Sequence, residues 1–231
     1  MRAMRCCQLS VALFCTALVV AAPRGSALES GSLAGYVKLT TRPRGAPLAT
    51  NAYPTRTVGA HDLPSTPEIR NVVVYLRNVA FQGELPIVTA TLMQEHEAFV
   101  PHVLVITKGS SVDFPNADPF FHNVFSLSGA ATFDLGRYPR GQTRTRRFTK
   151  AGLVKVYCHI HSHMSASVLV LDHPYFTTPG LDGAFQLPDV PPGDYTLVGW
   201  HERVGERSVP IRVDAGKTTS IDVTVPVEDK P

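Results

Sequence analysis

Cysteine is almost absent from this chain once its first residues are set aside. Three of the four cysteines, Cys6, Cys7 and Cys15, lie near the start, and only Cys158 follows them. A lone cysteine cannot form an internal disulfide, and a free thiol in an oxidising compartment is a liability unless it is buried or bound to a metal. The sequence therefore excludes a disulfide-stabilised fold and directs attention to Cys158.

Helical periodicity and an excess of either charge are missing as well. No stretch of useful length repeats its apolar residues with a helical period, and prolines recur throughout the 231 residues. The chain has 22 Lys and Arg against 19 Asp and Glu. Residues 1–27 contribute Arg2, Arg5 and Arg24 and no acid, so the remainder has 19 of each and a net charge of zero. This balance gives no indication of nucleic-acid binding.

The first residues have the pattern of a secretory signal peptide. Arg2 and Arg5 give a basic start, an apolar run follows from about residue 9 to residue 22, and residues 25–27 are small enough for cleavage. The apolar run is too short to favour a permanent membrane span. We therefore expect residues 1–27 to be removed, leaving a periplasmic or otherwise secreted protein with no membrane span.

Short β-branched runs predict an all-β protein built as a sandwich. Val72–Leu76, Val103–Ile106 and Val168–Leu171 are apolar and are bounded by Gly, Pro, Asn or Asp, as strands are. Residues 40–68 differ because prolines and glycines recur in them, and we expect a long loop there. Further strands are expected near residues 33–40, 183–187, 195–200, 207–213 and 219–225.

The most informative motif is Cys158-His159-Ile160-His161-Ser162-His163-Met164, with His122-Asn123 upstream. It spaces a thiolate, an imidazole and a thioether as C-x2-H-x2-M on one short loop, and a second imidazole can come from elsewhere in the fold. Soft sulfur, two histidines and a weak axial methionine make up the ligand set of a blue-copper electron-transfer centre.

Strand ends are expected to bring these residues together. Val154, Val156 and Cys158 alternate onto one face of a strand, which aims the thiol inward. His122 follows a strand-like run that ends in Phe121. Strand ends that meet at one pole of a sandwich can place such residues side by side.

From residue 87 to residue 172 the chain resembles the cupredoxins, and its short C-x2-H-x2-M loop is most similar to that of amicyanin. The resemblance implies a cupredoxin Greek-key β-sandwich that holds one type 1 copper ion and exchanges electrons with redox partner proteins. Its implied ligands are His122, Cys158, His161 and Met164. It also implies that Asn123 hydrogen-bonds the cysteine loop, with an ordinary Asx turn as the alternative. The residues that match the family's order are Phe99, Pro101, Gly109, Val112, Phe114, Asn116, Asp118, His122, Asn123 and Val124.

The flanking segments resemble a second family. Residues 182–195, with Pro191-Pro192-Gly193, are similar to the carboxypeptidase regulatory-like, transthyretin-like β-sandwich, and the segment around Tyr36 looks like the start of the same module. The resemblance implies a second, smaller sandwich from residues 28–86 and 173–228, with the cupredoxin block inserted in it. This combination is similar to bacterial secreted proteins of the methylamine-utilisation-like type.

Four other histidines are weaker candidates for metal binding. By strand alternation His159 should point away from the face of Cys158, and His163 has no ligand role in the resembling family. His96 and His102 could form a second, weaker metal site. The simpler interpretation of all four is a surface, loop or turn residue.

Several other functions compete with an electron carrier. Residues Cys158-His159-Ile160 resemble the signature of multicopper oxidases, but Tyr157 precedes the cysteine and paired His-x-His motifs are missing. A binuclear copper site needs two cysteines. We therefore expect that the protein is not an enzyme. Copper scavenging or delivery without redox cycling stays open, and so does a metal-free interaction module.

A basic cluster lies between the first candidate ligand and the cysteine. Its charges could steer an acidic redox partner. A solvated hairpin whose charges face water is the simpler interpretation. The cluster consists of Arg137, Arg140, Arg144, Arg146, Arg147 and Lys150.

Overall fold

The computed structural model describes residues 29–41 and 67–227. The expected signal peptide, residues 1–27, and most of the loop expected over residues 40–68 lie outside the described residues. In the described ranges the protein is all-β, as the sequence predicts, and the one helical element is a 3-10 helix at Glu68–Asn71. No helix in these ranges is long and apolar enough to cross a membrane.

Eighteen strands follow one another along the described chain. The three apolar runs expected to be strands lie in β2, β6 and β12, which confirms them. The strands are β1 (Gly31–Thr41), β2 (Val72–Arg77), β3 (Thr89–Thr91), β4 (Met93–Glu95), β5 (Ala98–Val100), β6 (Val103–Thr107), β7 (Ser111–Pro115), β8 (His122–Ser128), β9 (Ala131–Tyr138), β10 (Thr143–Arg147), β11 (Gly152–Tyr157), β12 (Ser165–Leu171), β13 (Phe176–Thr177), β14 (Ala184–Val190), β15 (Gly193–His201), β16 (Gly205–Val213), β17 (Thr218–Ser220) and β18 (Val223–Val227).

Eight strands from the two ends of the described chain form what we call the flanking sandwich. One sheet has the order β14-β1-β17, with β18 also paired to β1, and the other has the order β13-β2-β15-β16. Apolar side chains from both sheets, among them Leu33, Leu76, Phe185 and Leu197, form its core. The segments that precede and follow the middle of the chain are thus held in one core.

The strand expected near residues 219–225 is in fact two short strands. β17 and β18 pair in parallel with successive parts of β1, and the chain between them passes directly over Gly35. A β-carbon on Gly35 would lie 1.7 Å from the carbonyl oxygen of Ile221, so only glycine leaves room for this crossing. The close contact separates the two pairings and explains why one expected strand is interrupted.

Strands β3 to β12 form what we call the central sandwich. Its two sheets have the orders β10-β7-β3 and β6-β12-β11-β8-β9, and β4 and β5 form a separate hairpin. Side chains alternate along β7 and β11, so Val112, Phe114, Val154 and Val156 are fully buried in the core between the sheets. The core extends to the end of the sandwich that carries Cys158 and Met164.

The two sandwiches share an apolar junction. Val73 and Tyr75 of β2 and Trp200 of β15 pack with Val103 and Leu169 of the central sandwich. Strand β2 is therefore covered on both faces, which explains why its sequence is a continuous apolar run and not an alternating one.

Candidate metal centre

Three side chains with metal-binding atoms converge at one end of the central sandwich, which we call the metal pole. The Nδ1 atoms of His122 and His161 lie 3.1 Å apart, and Sγ of Cys158 lies 3.8 Å from Nδ1 of His122. All three ligand atoms fall within 4.8 Å of one another. His122 and Cys158 are buried whereas His161 is partly exposed, so solvent reaches this group from the His161 side. It is the one such cluster of His, Cys, Asp or Glu in the part of the chain that the structure describes.

The two buried residues of this group lie where strands meet loops. Cys158 lies one residue beyond β11 and continues its alternation, with Val154, Val156 and Cys158 all buried. His122 is the first residue of β8. The expectation that His122 follows a strand is wrong, because residues 118–121 form an irregular bend that enters β8.

A tight loop carries Cys158, His161 and Met164. The backbone N–H of Met164 donates to the carbonyl oxygen of His161 at 2.9 Å, and that of Cys158 donates to the carbonyl oxygen of Met164 at 3.3 Å. The side chain of Met164 is 1% exposed and belongs to the same apolar cluster as Cys158. The loop with the C-x2-H-x2-M spacing is thus closed by its own backbone hydrogen bonds, and the side chains of Cys158 and Met164 are both buried.

A buried carboxylate fixes the orientation of the His122 ring. Asp118 Oδ2 lies 2.7 Å from Nε2 of His122, and the backbone N–H groups of His96 and Glu97 donate to the same carboxylate at 2.7 and 2.9 Å. His96 and Glu97 form the tip of the β4–β5 hairpin with φ of 54° and 55°, as a type I′ turn requires. Because Nε2 donates its hydrogen to Asp118, Nδ1 is the nitrogen that faces Cys158 and His161, and it would offer its lone pair to a metal on losing its own hydrogen.

Asn116 holds the bend that carries Asp118. Its Nδ2 donates to the carbonyl oxygens of Phe120 and Tyr138 at 2.8 and 3.1 Å, and its Oδ1 accepts the N–H of Asp118 at 2.9 Å. Asn116 and Asp118 match the order of residues in cupredoxins, but the sequence predicted no role for either of them. A carboxylate four residues before a candidate histidine ligand was the available signal.

Asn123 ties β8 to the cysteine loop. Its Oδ1 accepts the backbone N–H of His159 at 3.2 Å, and its Nδ2 donates to Asp134 Oδ1 at 2.6 Å. The side chain is 2% exposed, so little water competes for these bonds. The loop after Cys158 is therefore anchored to the strand that begins with His122.

The surroundings of Cys158 favour a thiolate. Burial by itself would raise the pKa of the thiol, but the hydrogen bond with His122 and the backbone N–H groups of Asn123, His161 and Ile160 outweigh it and lower the pKa to about 6. A thiolate is the form that binds metals. The sulfur is therefore favoured in the form that a metal would bind.

The two histidines that flank His161 point elsewhere. The ring of His159 stacks on Phe125 with centroids 3.7 Å apart, and its side chain is 53% exposed. His163 is 56% exposed and lies 3.3 Å from Glu97. Neither ring is in the group of converging ligand atoms.

His96 and His102 have different surroundings from each other. His96 is exposed at the β4–β5 turn and contributes its backbone N–H to Asp118. His102 lies at the junction, where Nε2 is 2.9 Å from Glu202 Oε1. The described residues provide no further His, Cys, Asp or Glu cluster that would unite them as a metal site.

The spacing of the converging atoms suits a metal ion. Bonds of about 2.0–2.1 Å to nitrogen and about 2.3 Å to sulfur, at angles of about 100° to 120°, separate two nitrogens by about 3.1–3.6 Å and nitrogen from sulfur by about 3.3–3.8 Å. Two of the three observed separations, 3.1 and 3.8 Å, lie at the limits of these ranges, and the three atoms together lie within 4.8 Å of one another. His122, Cys158 and His161 could therefore hold a metal, and the adjacent thioether of Met164 is a soft donor that suits copper.

No family profile and no curated protein matches this chain. Among solved structures, its neighbours have the cupredoxin fold. An amicyanin mutant in the Cu(I) state is 21% identical with a TM-score of 0.34, over 36% of this chain and 82% of the amicyanin. A second, reduced amicyanin mutant is 22% identical over the same shares, also with a TM-score of 0.34. A copper-containing nitrite reductase from Thermus scotoductus SA-01 is 25% identical with a TM-score of 0.35, over 42% of this chain and 25% of the reductase.

Proposed function

We propose that this protein is a mononuclear type 1 copper protein that carries electrons. The observation that supports this function best is the convergence of Nδ1 of His122, Nδ1 of His161 and Sγ of Cys158, with the side chain of Met164 buried in the same loop and apolar cluster as Cys158. One thiolate, two imidazoles and a thioether form the ligand set that distinguishes blue copper from zinc or iron sites. His122, Cys158, His161 and Met164 are the proposed ligands.

The residues around the ligands hold them in place before any metal arrives. Asp118 fixes the tautomer of His122, and Asn123 anchors the loop that carries Cys158. Bound copper would supply a one-electron couple between Cu(I) and Cu(II). Rigid support of the ligands limits the rearrangement between oxidation states, and the partly exposed edge of His161 gives electrons a short route to the surface.

Export and a passive role for the flanking sandwich complete the proposal. We infer that residues 1–27 direct secretion to the periplasm or beyond and are then removed. The strand pairings support residues 87–172 as the copper domain and residues 28–86 and 173–228 as a discontinuous carboxypeptidase regulatory-like module. That module serves as a structural or docking unit, and the protein catalyses no bond-changing reaction.

The test is copper loading of protein expressed without residues 1–27. Addition of Cu(II) should give one copper per chain and an intense visible thiolate-to-copper band that reductant removes and oxidant restores. Cys158→Ser should lose the band, with Ser162→Ala in the same loop as the control. Well-folded protein that shows no band would contradict the proposal. Copper that binds, leaves readily to a chelator and does not cycle would instead indicate scavenging or delivery.

A further inference from the structure

The basic cluster of the sequence divides into two parts in the structure. Arg146 lies over the ring of Phe133, Arg147 donates to the carbonyl oxygen of Gly109, and Lys150 donates to that of Gly129. These three are engaged along β10 and beyond it, away from the metal pole. The other three, Arg137, Arg140 and Arg144, are exposed and surround the corner where β9 turns into β10. We call these three residues the basic corner.

No carboxylate neutralises the basic corner. Among the described residues none of its arginines forms an ion pair, and residues 135–150 contain no Asp or Glu. In the flanking sandwich, by contrast, most of the Lys and Arg side chains have an acidic partner. Its pairs are Lys38–Asp222, Arg77–Glu206, Arg203–Glu68, Arg212–Asp194 and Lys217–Asp214.

The basic corner adjoins the metal pole through the sheet register. Tyr138 pairs with His122, and Arg137 pairs with Asn123. The turn after Tyr138 is bonded to the bend before His122, since the N–H of Gly141 donates to the carbonyl oxygen of Asn116 at 2.8 Å. The positive charges are therefore beside the group that would bind copper.

The side chains of Arg137 and Arg140 make no contact with the described residues that would indicate a structural role. Arg144 lies 5.6 Å from the ring centre of Tyr138, which is fully buried, and so covers an open edge of the sandwich. Phe120 and Phe121, 38% and 54% exposed, lie in the neighbouring bend. Unpaired arginines next to exposed aromatic rings are typical of a protein-binding surface.

We propose that the basic corner docks an acidic surface of a redox partner protein, so that electrons pass at the metal pole. This inference rests on the proposed electron-transfer function. Carboxylates of the partner would pair with Arg137, Arg140 and Arg144, while its apolar surface would cover Phe120 and Phe121. Positive charge beside the metal pole also increases the rate at which an acidic partner associates.

The first experiment measures electron transfer from hexacyanoferrate(II), a small anion, to the copper-loaded protein by stopped flow. Each iron(II) is oxidised to iron(III) as one copper(II) is reduced to copper(I). At about 10 mM ionic strength the triple variant Arg137→Gln, Arg140→Gln, Arg144→Gln should react about tenfold more slowly than the unmodified protein. At about 1 M ionic strength the difference should vanish, because salt screens charges beyond a few ångströms. The control, Arg207→Gln, removes an exposed charge from the flanking sandwich and should leave the rate unchanged.

The second experiment separates a protein partner from other anions, and it does not need copper. Poly-L-glutamate should bind both copper-loaded and copper-free protein, and the triple variant should bind it at least tenfold more weakly. Preference for phosphatidylglycerol vesicles over poly-L-glutamate would overturn the proposal in favour of a membrane surface. Equal rates and equal binding for the triple variant and the unmodified protein would overturn it altogether.

Failure of the two proposals can be told apart. If the proposed function is wrong, the unmodified protein will lack the visible band, whatever the basic corner binds. If only the docking inference is wrong, the triple variant will still have the band and will react at the same rate as the unmodified protein. Because Gln keeps most of the side chain at exposed positions, a melting temperature within a few degrees of the unmodified protein verifies that the variant is folded.

Discussion

The metal pole and the junction between the sandwiches both bring two histidines together with carboxylates. At the pole, the Nδ1 atoms of His122 and His161 face each other and Cys158. At the junction, Nε2 of His102 lies 2.9 Å from Glu202 and Nε2 of His201 lies 3.0 Å from Glu68. A cavity of about 60 Å³ lies among these four junction residues and their neighbours Asn71 and Arg203.

Cations make the difference between the two regions. Lys155 lies 2.7 Å from Glu202 and Arg203 lies 2.6 Å from Glu68, so the acids at the junction are already neutralised. Nδ1 of His201 accepts the N–H of Arg203 at 3.2 Å, which leaves the hydrogen of the neutral ring on Nε2 and no lone pair there for a metal. In the described part of the chain, the ligand atoms of histidines therefore converge without a neighbouring cation at the metal pole and not at the junction.

The largest effect is expected when the carboxylate that orients His122 is altered. Asp118→Asn keeps the size of the side chain, but its amide would face the N–H groups of His96 or Glu97, donor against donor. We expect copper affinity to fall about 10- to 100-fold. Competition with a copper chelator measures this loss.

Asp113→Asn is the matched control for that measurement. Asp113 is a carboxylate of β7 that accepts from Thr145 and has no contact with the ligands. Its replacement should leave copper affinity within about twofold. An affinity for Asp118→Asn as high as that of the control would show that the carboxylate does not position His122.

An intermediate effect is expected from the acid at the junction. Glu202 accepts from His102, Lys155 and Ser167, three residues of the central sandwich. Glu202→Gln leaves Lys155 without its charged partner and should lower the free energy of unfolding by about 1–2 kcal/mol. That corresponds to a melting temperature about 2–8 °C lower.

The same variant should leave the metal pole unchanged. We expect the visible band of the copper-loaded protein to be the same with Glu202→Gln as without it. Asp194→Asn, which removes an exposed partner of Arg212, should shift the melting temperature by less than about 2 °C. A Glu202→Gln variant with normal stability but no band would reverse the assigned roles of the two regions.

The smallest effect concerns pH. The hydrogen bond with Glu202 raises the pKa of His102 above its usual 6.5, against the opposing effects of burial and of nearby Lys155. The protonated ring then contributes stability that is fully present below pH 6.5 and is lost as pH rises through the raised pKa. Denaturant titrations at pH 6 and pH 8 should show a loss of less than about 1 kcal/mol that His102→Gln removes. An unchanged pH dependence in that variant would show that His102 does not stabilise the junction.

The sequence was a good guide to strands and to the cysteine loop because both depend on local spacing. The runs in β2, β6 and β12 are visible as short β-branched segments, and the alternation of Val154, Val156 and Cys158 needs only the period of a strand. The interrupted strand at β17 and β18 was not foreseen. Its break comes from contact with Gly35, which is more than 180 residues away in the chain.

Local sequence patterns are enough to predict that the protein is all-β and that one short loop carries a thiol, an imidazole and a thioether. The resemblance to cupredoxins named His122 as the second imidazole, and the tertiary structure brings its Nδ1 to 3.1 Å from Nδ1 of His161. In the tertiary structure Asp118 contacts Nε2 of His122, the ring of His159 stacks on Phe125, and His102 contacts Glu202. The contacts of His159 and His102 join parts of the chain that are far apart, and the Asp118 carboxylate is oriented by backbone N–H groups of the distant β4–β5 hairpin. Spacing along a sequence does not encode these directions.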